Sequence, residues 1–204
     1  MHRRHVLSLI LAGSALPGIA RAQSATADQT KQWETPRSIG SADAKNTVEE
    51  WFSLTCTHCA HFTQDTFPDI KKNLIDTGKV RWVFQDFPLD RLALTAAMIA
   101  RALPPERYEP FVVALFNSQD RWAFAQGADP MKELWNMAAL AGMSRTTFDA
   151  AVADTDLQNW ILQKQKDAQN KWGIDATPSF VVNGKKYSGE MAYDDFVKLL
   201  PGIS

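Results

Sequence analysis

Cys56 and Cys59 are the only cysteines in the 204-residue chain, and two residues separate them. Three kinds of chemistry fit such a pair. It can be a redox-active dithiol, in which a thiolate attacks or leaves a disulfide. It can be half of a zinc site, but tetrahedral zinc wants four ligands and there is no second pair. His58 lies inside the loop, and His61 is expected to point elsewhere on a helix. It can be a structural disulfide, although a bridge over two residues removes little unfolded-chain entropy. The surroundings favour the dithiol. Val48 to Leu54 reads as a buried strand, and Thr57 to Asn73 as a helix with a kink or restart at Phe67-Pro68. Cys56 is therefore predicted at a strand-to-helix turn, where unpaired N–H groups and the helix dipole favour an anion. It is the expected nucleophile, with Cys59 its buried partner one turn in.

Other residues could tune that pair. Glu50 stands six residues before Cys56, amid Val48, Trp51 and Phe52. An acid there is costly if buried without a partner. Glu49 should face the other side of the strand, and Lys79 is a candidate partner for Glu50. His58 is the charge-capable side chain inside the Cys56–Cys59 loop, placed to stabilise a thiolate. Thr57 adds a hydroxyl there. His61 reads as an ordinary helix-surface residue. Thr177-Pro178 follows a turn and precedes a strand.

The stretch Phe52-Ser53-x-Thr55-Cys56-x-His58-Cys59 resembles the active site of DsbA-like thiol:disulfide oxidoreductases, which have the thioredoxin fold. The resemblance continues through Gly78 to Asp90 and resumes from Gly173 to Lys185, so it covers nearly all of the chain from about residue 37. The family usually reads Cys-Pro-His-Cys, and here Thr57 replaces the proline, so a redox potential does not carry over. The resemblance implies a cis Thr177–Pro178 bond packed against the Cys pair, where backbone groups dock an unfolded chain. It also implies that Glu50 assists proton transfer. Some members carry a second Cys pair, whose positions correspond to Ala102 and Ala151, so that bridge is absent.

The elements needed to hold this site can be read along the chain. Lys79 to Gln85 is a second strand. Residues 91–172 are almost wholly helical in pattern. Leu92 to Leu103 is broken by Pro104-Pro105, and Tyr108 to Trp122 follows. Asp129 caps a helix running from Pro130 to Ala141, with Gly142 after its end. Ser144 caps another through Val152, and Asp156 to Trp172 is a long helix. Ser179 to Val182 and Lys185 to Ser188 flank an Asn183-Gly184 hairpin turn, and Tyr193 to Leu200 closes the chain. A βαβ unit, a helical insertion at about 91–172 and a ββα unit predict an α/β, thioredoxin fold with an inserted helical subdomain, over residues 47–204.

Residues 1–22 read as a signal peptide. His2 to His5 is basic, Val6 to Ile19 is apolar, and Ala20-Arg21-Ala22 fits a cleavage site. Arg3-Arg4 also resembles a twin-arginine signal. Residues 23–46 are expected as a lead-in. The chain carries 22 basic and 23 acidic residues, and without Arg3, Arg4 and Arg21 the balance is −4. That speaks against nucleic-acid binding. The expectation is an exported, periplasmic and monomeric dithiol oxidase. It acts on unfolded exported proteins and is reoxidised by a membrane partner. It needs no cofactor or metal beyond the Cys56–Cys59 disulfide. A disulfide isomerase or reductase, or a soft-metal (copper or zinc) protein using the pair and a histidine, are the alternatives.

Overall fold

The structure, a computed structural model, describes residues 28–203, of which 28–33 are helical (α1). The expected signal peptide, 1–22, lies outside the described residues. A mixed sheet forms the centre, in the order β1 (Arg37–Ile39), β3 (Val80–Asp86), β2 (Asn46–Phe52), β4 (Ser179–Val182), β5 (Lys185–Ser188). β2 and β3 are parallel, with Glu50 opposite Phe84; the other pairs are antiparallel. The parallel pair lies inside the sheet, flanked by β1 and β4, and its apolar residues Val48, Trp51, Phe52, Val80, Trp82 and Phe84 are buried.

The two faces are covered differently. One packs against α2 (Thr57–Asp65), α3 (Phe67–Ile70) and α10 (Tyr193–Val197) through Phe62, Phe67, Trp82, Phe180 and Phe196. Their rings meet at 4.7 to 6.3 Å, Phe62 and Trp82 stacked at 13° and the other pairs tilted or edge-on, the arrangements that aromatic packing favours. The other face buries Trp51, Phe87, Ile174 and Val181 with Ala168 of α9 (Thr155–Trp172). The helix expected over Thr57–Asn73 is divided at Phe67-Pro68. Thr66 ends α2, Pro68 opens α3, and a π-helical turn (Lys71–Ile75) completes the run.

Between the βαβ and ββα parts lie α4 (Arg91–Arg101), α5 (Pro105–Asn117), α6 (Gln119–Trp122), α7 (Pro130–Leu140) and α8 (Arg145–Ala153), followed by α9. Asp90, Asp129, Ser144 and Asp154 each cap a helix through a side-chain oxygen accepting from backbone N–H groups. Gly142, at φ +84°, follows α7 as expected. Ala102 and Ala151 are both buried where this layer packs. The regular elements of the insertion are all helices.

Some boundaries differ from expectation. The strand expected over Val48 to Leu54 begins at Asn46 and ends at Phe52, leaving residues 53–55 as the turn. α5 begins at Pro105, three residues earlier than the periodicity implied, because Pro is suited to a first helical turn, where its missing N–H costs nothing. The closing helix stops at Val197. The folded unit also begins before residue 47. Residues 28–33 are helical, Trp33 is buried, and β1 pairs with β3. Arg37 on β1 is buried and donates to the carbonyls of Arg101 and Leu103.

Candidate active site

Cys56 caps α2. Its Sγ accepts the N–H of Cys59 at 3.2 Å, so the sulfur takes the role that a Ser or Asp oxygen plays at other helix starts. Both cysteines are free thiols and buried, Cys56 at 7 % exposure and Cys59 at 0 %. That small difference leaves Cys56 as the sulfur a partner can reach. The turn carrying it is fixed from three sides. Thr55 donates to Asp90 at 2.6 Å, and Ser53 Oγ accepts the N–H of Leu89 at 3.2 Å. Buried Gln119 on α6 donates to the carbonyls of Leu54, at 2.7 Å, and Cys56, at 3.0 Å.

The two thiols are driven apart in acidity. A hydrogen bond with the Cys59 side chain is the strongest influence on Cys56. With the Thr177 side chain and the backbone N–H groups of Cys59 and His58, it outweighs burial and lowers the Cys56 pKa to about 6. Burial, first, and the adjoining Cys56 push Cys59 well above the usual thiol range. Cys56 is therefore thiolate at neutral pH while Cys59 holds its proton, as the helix-start placement anticipates.

The Thr177–Pro178 bond is cis. The Cys56 thiol donates to the Thr177 carbonyl at 3.4 Å, so this loop is packed against the reactive sulfur. The Thr177 hydroxyl is buried and has no hydrogen-bond partner by geometry, although its side chain lies close enough to favour the thiolate. The Pro178 carbonyl is already occupied by the N–H of Gly189 at 2.8 Å. Of the two carbonyls in this loop, that of Pro178 is thus taken by Gly189 and that of Thr177 meets the Cys56 thiol.

Glu50 lies on the face of β2 toward the aromatic core, at 3 % exposure. Burial raises its pKa to about 8, against the pull of a hydrogen bond from Trp82 Nε1 to Oε2 at 3.0 Å. Its other oxygen has no partner. The suggested partner, Lys79, is not there. The strand register puts Val80 opposite Asn46, at the far end of β2 from Glu50, and the indole takes that place. Glu49 does face the other side, beside Gln85 at 3.4 Å.

Thr57 is exposed, and among the described residues its hydroxyl is not one of the groups acting on the Cys56 sulfur. His58 offers its backbone N–H to that sulfur, but its ring turns away to Glu190, with Nδ1 3.0 Å from Oε1. That contact raises the His58 pKa. The expectation that His61 points elsewhere is corrected. Three residues apart on one helix, the two rings share a side, and His61 Nδ1 lies 3.8 Å from the second Glu190 oxygen. Gln119, Trp82 and Glu190 were not singled out in the sequence. A lone Gln, Trp or Glu carries no local signal of a partner that is 32 to 132 residues away.

A thioredoxin-order sheet with a Cys-x-x-Cys helix start and a cis proline against the first sulfur defines a thioredoxin-fold dithiol protein. The thioredoxin family model matches residues 32–201. Among solved structures, α-DsbA1 of Wolbachia pipientis is 32 % identical, covering 83 % of this chain and 90 % of that one, with a TM-score of 0.76. Disulfide bond formation protein D of Bacillus subtilis is 28 % identical over 77 % of this chain and 72 % of its own. A Rickettsia felis chain named as a protein-disulfide oxidoreductase is 29 % identical over 72 % of this chain and 52 % of its own. The present chain thus spans about half the length of the Rickettsia relatives it matches. It belongs to the DsbA-like thiol:disulfide oxidoreductase family.

Proposed function

We propose that the protein is a dithiol oxidase that introduces disulfides into unfolded exported proteins. The observation that carries this reading is the split in thiol acidity, Cys56 lowered to about 6 and Cys59 raised well above its usual range. A stabilised Cys56 thiolate makes the reduced pair the favoured form, and the disulfide correspondingly oxidising. In the oxidised protein a substrate thiolate attacks Cys56 Sγ. The Cys56–Cys59 bond breaks, and Cys59 leaves as a thiolate. Glu50, protonated at neutral pH, is the buried acid placed to supply the proton that Cys59 takes up. A second substrate thiolate attacks the substrate sulfur of the mixed disulfide. The product disulfide departs, two electrons rest on the cysteine pair, and Cys56 leaves as a thiolate that needs no proton. Thr177 lines the approach to that sulfur.

The same reading takes residues 1–22 as an export signal, the periplasm as the compartment, a monomer as the working form and a membrane partner as the oxidant that restores the disulfide. The test is the equilibrium potential of the pair against glutathione, alongside oxidation of a reduced substrate and refolding of a scrambled one. An oxidising potential with fast oxidation and slow unscrambling supports the oxidase. The reverse pattern moves the assignment to an isomerase or reductase.

A further inference from the structure

We propose that His58, His61 and Glu190 form a binding site for a divalent transition-metal ion of the zinc class, on the rim of the Cys56–Cys59 site. One donor atom from each of the three residues lies within 4.8 Å of the others. The Glu190 carboxylate is divided between the imidazoles, Oε1 at 3.0 Å from His58 Nδ1 and Oε2 at 3.8 Å from His61 Nδ1. Donors at about 2.0–2.1 Å from zinc and at the tetrahedral angle stand about 3.3 Å apart. The two imidazole-to-carboxylate separations bracket that value and the imidazole donors lie within 4.8 Å of each other, so side-chain rotations that draw the three donors together admit the ion. Two imidazoles and one carboxylate are a donor set that zinc accepts while keeping a fourth position open. Calcium and magnesium want oxygen ligands and are disfavoured.

The backbone holds the three ligands in place without an ion. His58 and His61 are three residues apart on the first turns of α2, so their rings share a side, 6.1 Å apart and at 87°. Glu190 is pinned through both neighbours. Gly189 donates to the Pro178 carbonyl at 2.8 Å, and the Met191 carbonyl accepts from Thr66 Oγ1 at 3.0 Å. His61 and Glu190 also border a depression of about 260 Å³ shared with Asp65. An ion here ties the start of α2 to the segment after β5. Its open position faces solvent, where water or an incoming thiolate can bind. The site uses neither cysteine, so it stands or falls separately from the dithiol reading.

The experiment uses disulfide-closed protein, in which Cys56 and Cys59 cannot ligate. Zinc chloride is titrated calorimetrically into wild type, His61→Ala and Glu190→Gln. The expected result is one zinc per chain in wild type, weakened at least about tenfold in either variant, since even outer-shell partners are worth about 10–100-fold. Cobalt(II) is the second probe. Ligand-field bands without sulfur charge transfer are expected in closed wild type and lost in His61→Ala. Absence of binding to the closed wild type overturns the proposal. So does equal binding by both variants, which leaves Glu190 as a carboxylate bridging two imidazoles. Metal-free His61→Ala should keep the parent's melting temperature and disulfide exchange.

Discussion

Glu50 and Asp86 sit on neighbouring strands, at 3 % and 4 % exposure, and the chain treats them in opposite ways. Both oxygens of Asp86 have partners. Arg101 from α4 pairs with it inside the protein, and Tyr108 donates to it at 3.4 Å. Arg101 also donates to the carbonyls of Trp33 and Thr35 and stacks over Trp160 at 4.5 Å. Around Glu50 there is one indole and no cation among the described residues, so burial keeps the acid protonated. One carboxylate is buried with its counter-charge and fastens α4, β3 and the N-terminal segment together. The other is buried without one and holds a proton beside the cysteines. Equal burial yields an ion-pair clamp in one place and a protonated acid in the other, and the counter-charge is what decides.

The largest expected effect breaks only the reactive side. Cys56→Ser abolishes disulfide exchange, whereas Cys59→Ser accumulates a mixed disulfide with substrate, visible by non-reducing electrophoresis. Equal trapping by both variants overturns the assignment of Cys56 as the attacked sulfur. Next comes the clamp. Arg101→Ala strands a buried carboxylate and should cost about 3–5 kcal/mol of stability in chemical denaturation, while the Cys56 thiolate absorbance still titrates near pH 6 in the folded protein. A shifted thiol titration would show that the two regions are coupled.

Glu50→Gln comes third. Because the folded pKa of Glu50 is raised, to about 8 from 4.5, its favourable contribution is complete below pH 4.5 and is lost as pH rises through 8. The melting temperature of wild type should therefore fall relative to the Gln variant across that window. Turnover in the variant should drop by up to about 100-fold, the low end of what a positioned acid contributes. A parallel pH dependence of the two proteins removes Glu50 as the proton store. The smallest effect is that of His58→Ala. Its ring is committed to Glu190, so the Cys56 pKa should rise by less than about one unit, equivalent to less than roughly 1.4 kcal/mol or about 30 mV. A larger rise would return the imidazole to a direct part in holding the thiolate.

Cys56 and Cys59, the hairpin at Asn183-Gly184 and the caps at Asp129 and Ser144 were legible because each signal is local. A turn, a cap and a strand-to-helix junction are written within a few residues. The strands Ser179–Val182 and Lys185–Ser188 fall on the expected residues for the same reason. What was not legible depends on register and return. Trp82 meets Glu50 only because β2 and β3 pair with Asn46 opposite Val80, and nothing near either residue encodes that offset. Glu190 reaches His58 across the full span of the insertion. Trp33 to Ile39 reads as a short extended segment within the lead-in, and β1 falls there at Arg37–Ile39, but three residues are too few to show a period that would mark Arg37 as buried.

Gln119 joins the insertion to the catalytic turn through two carbonyls in the buried interior. Leu54 and Cys56 cannot separate from α6 without stranding those acceptors away from water. The turn and this part of the insertion are therefore expected to open as a single cooperative unit, with the N–H groups of residues 56–60 exchanging for deuterium in step with those of 119–123. A helical layer that carries neither cysteine then sets how often the reactive sulfur is uncovered by fluctuation, and so how fast an oxidant larger than a thiol can find it.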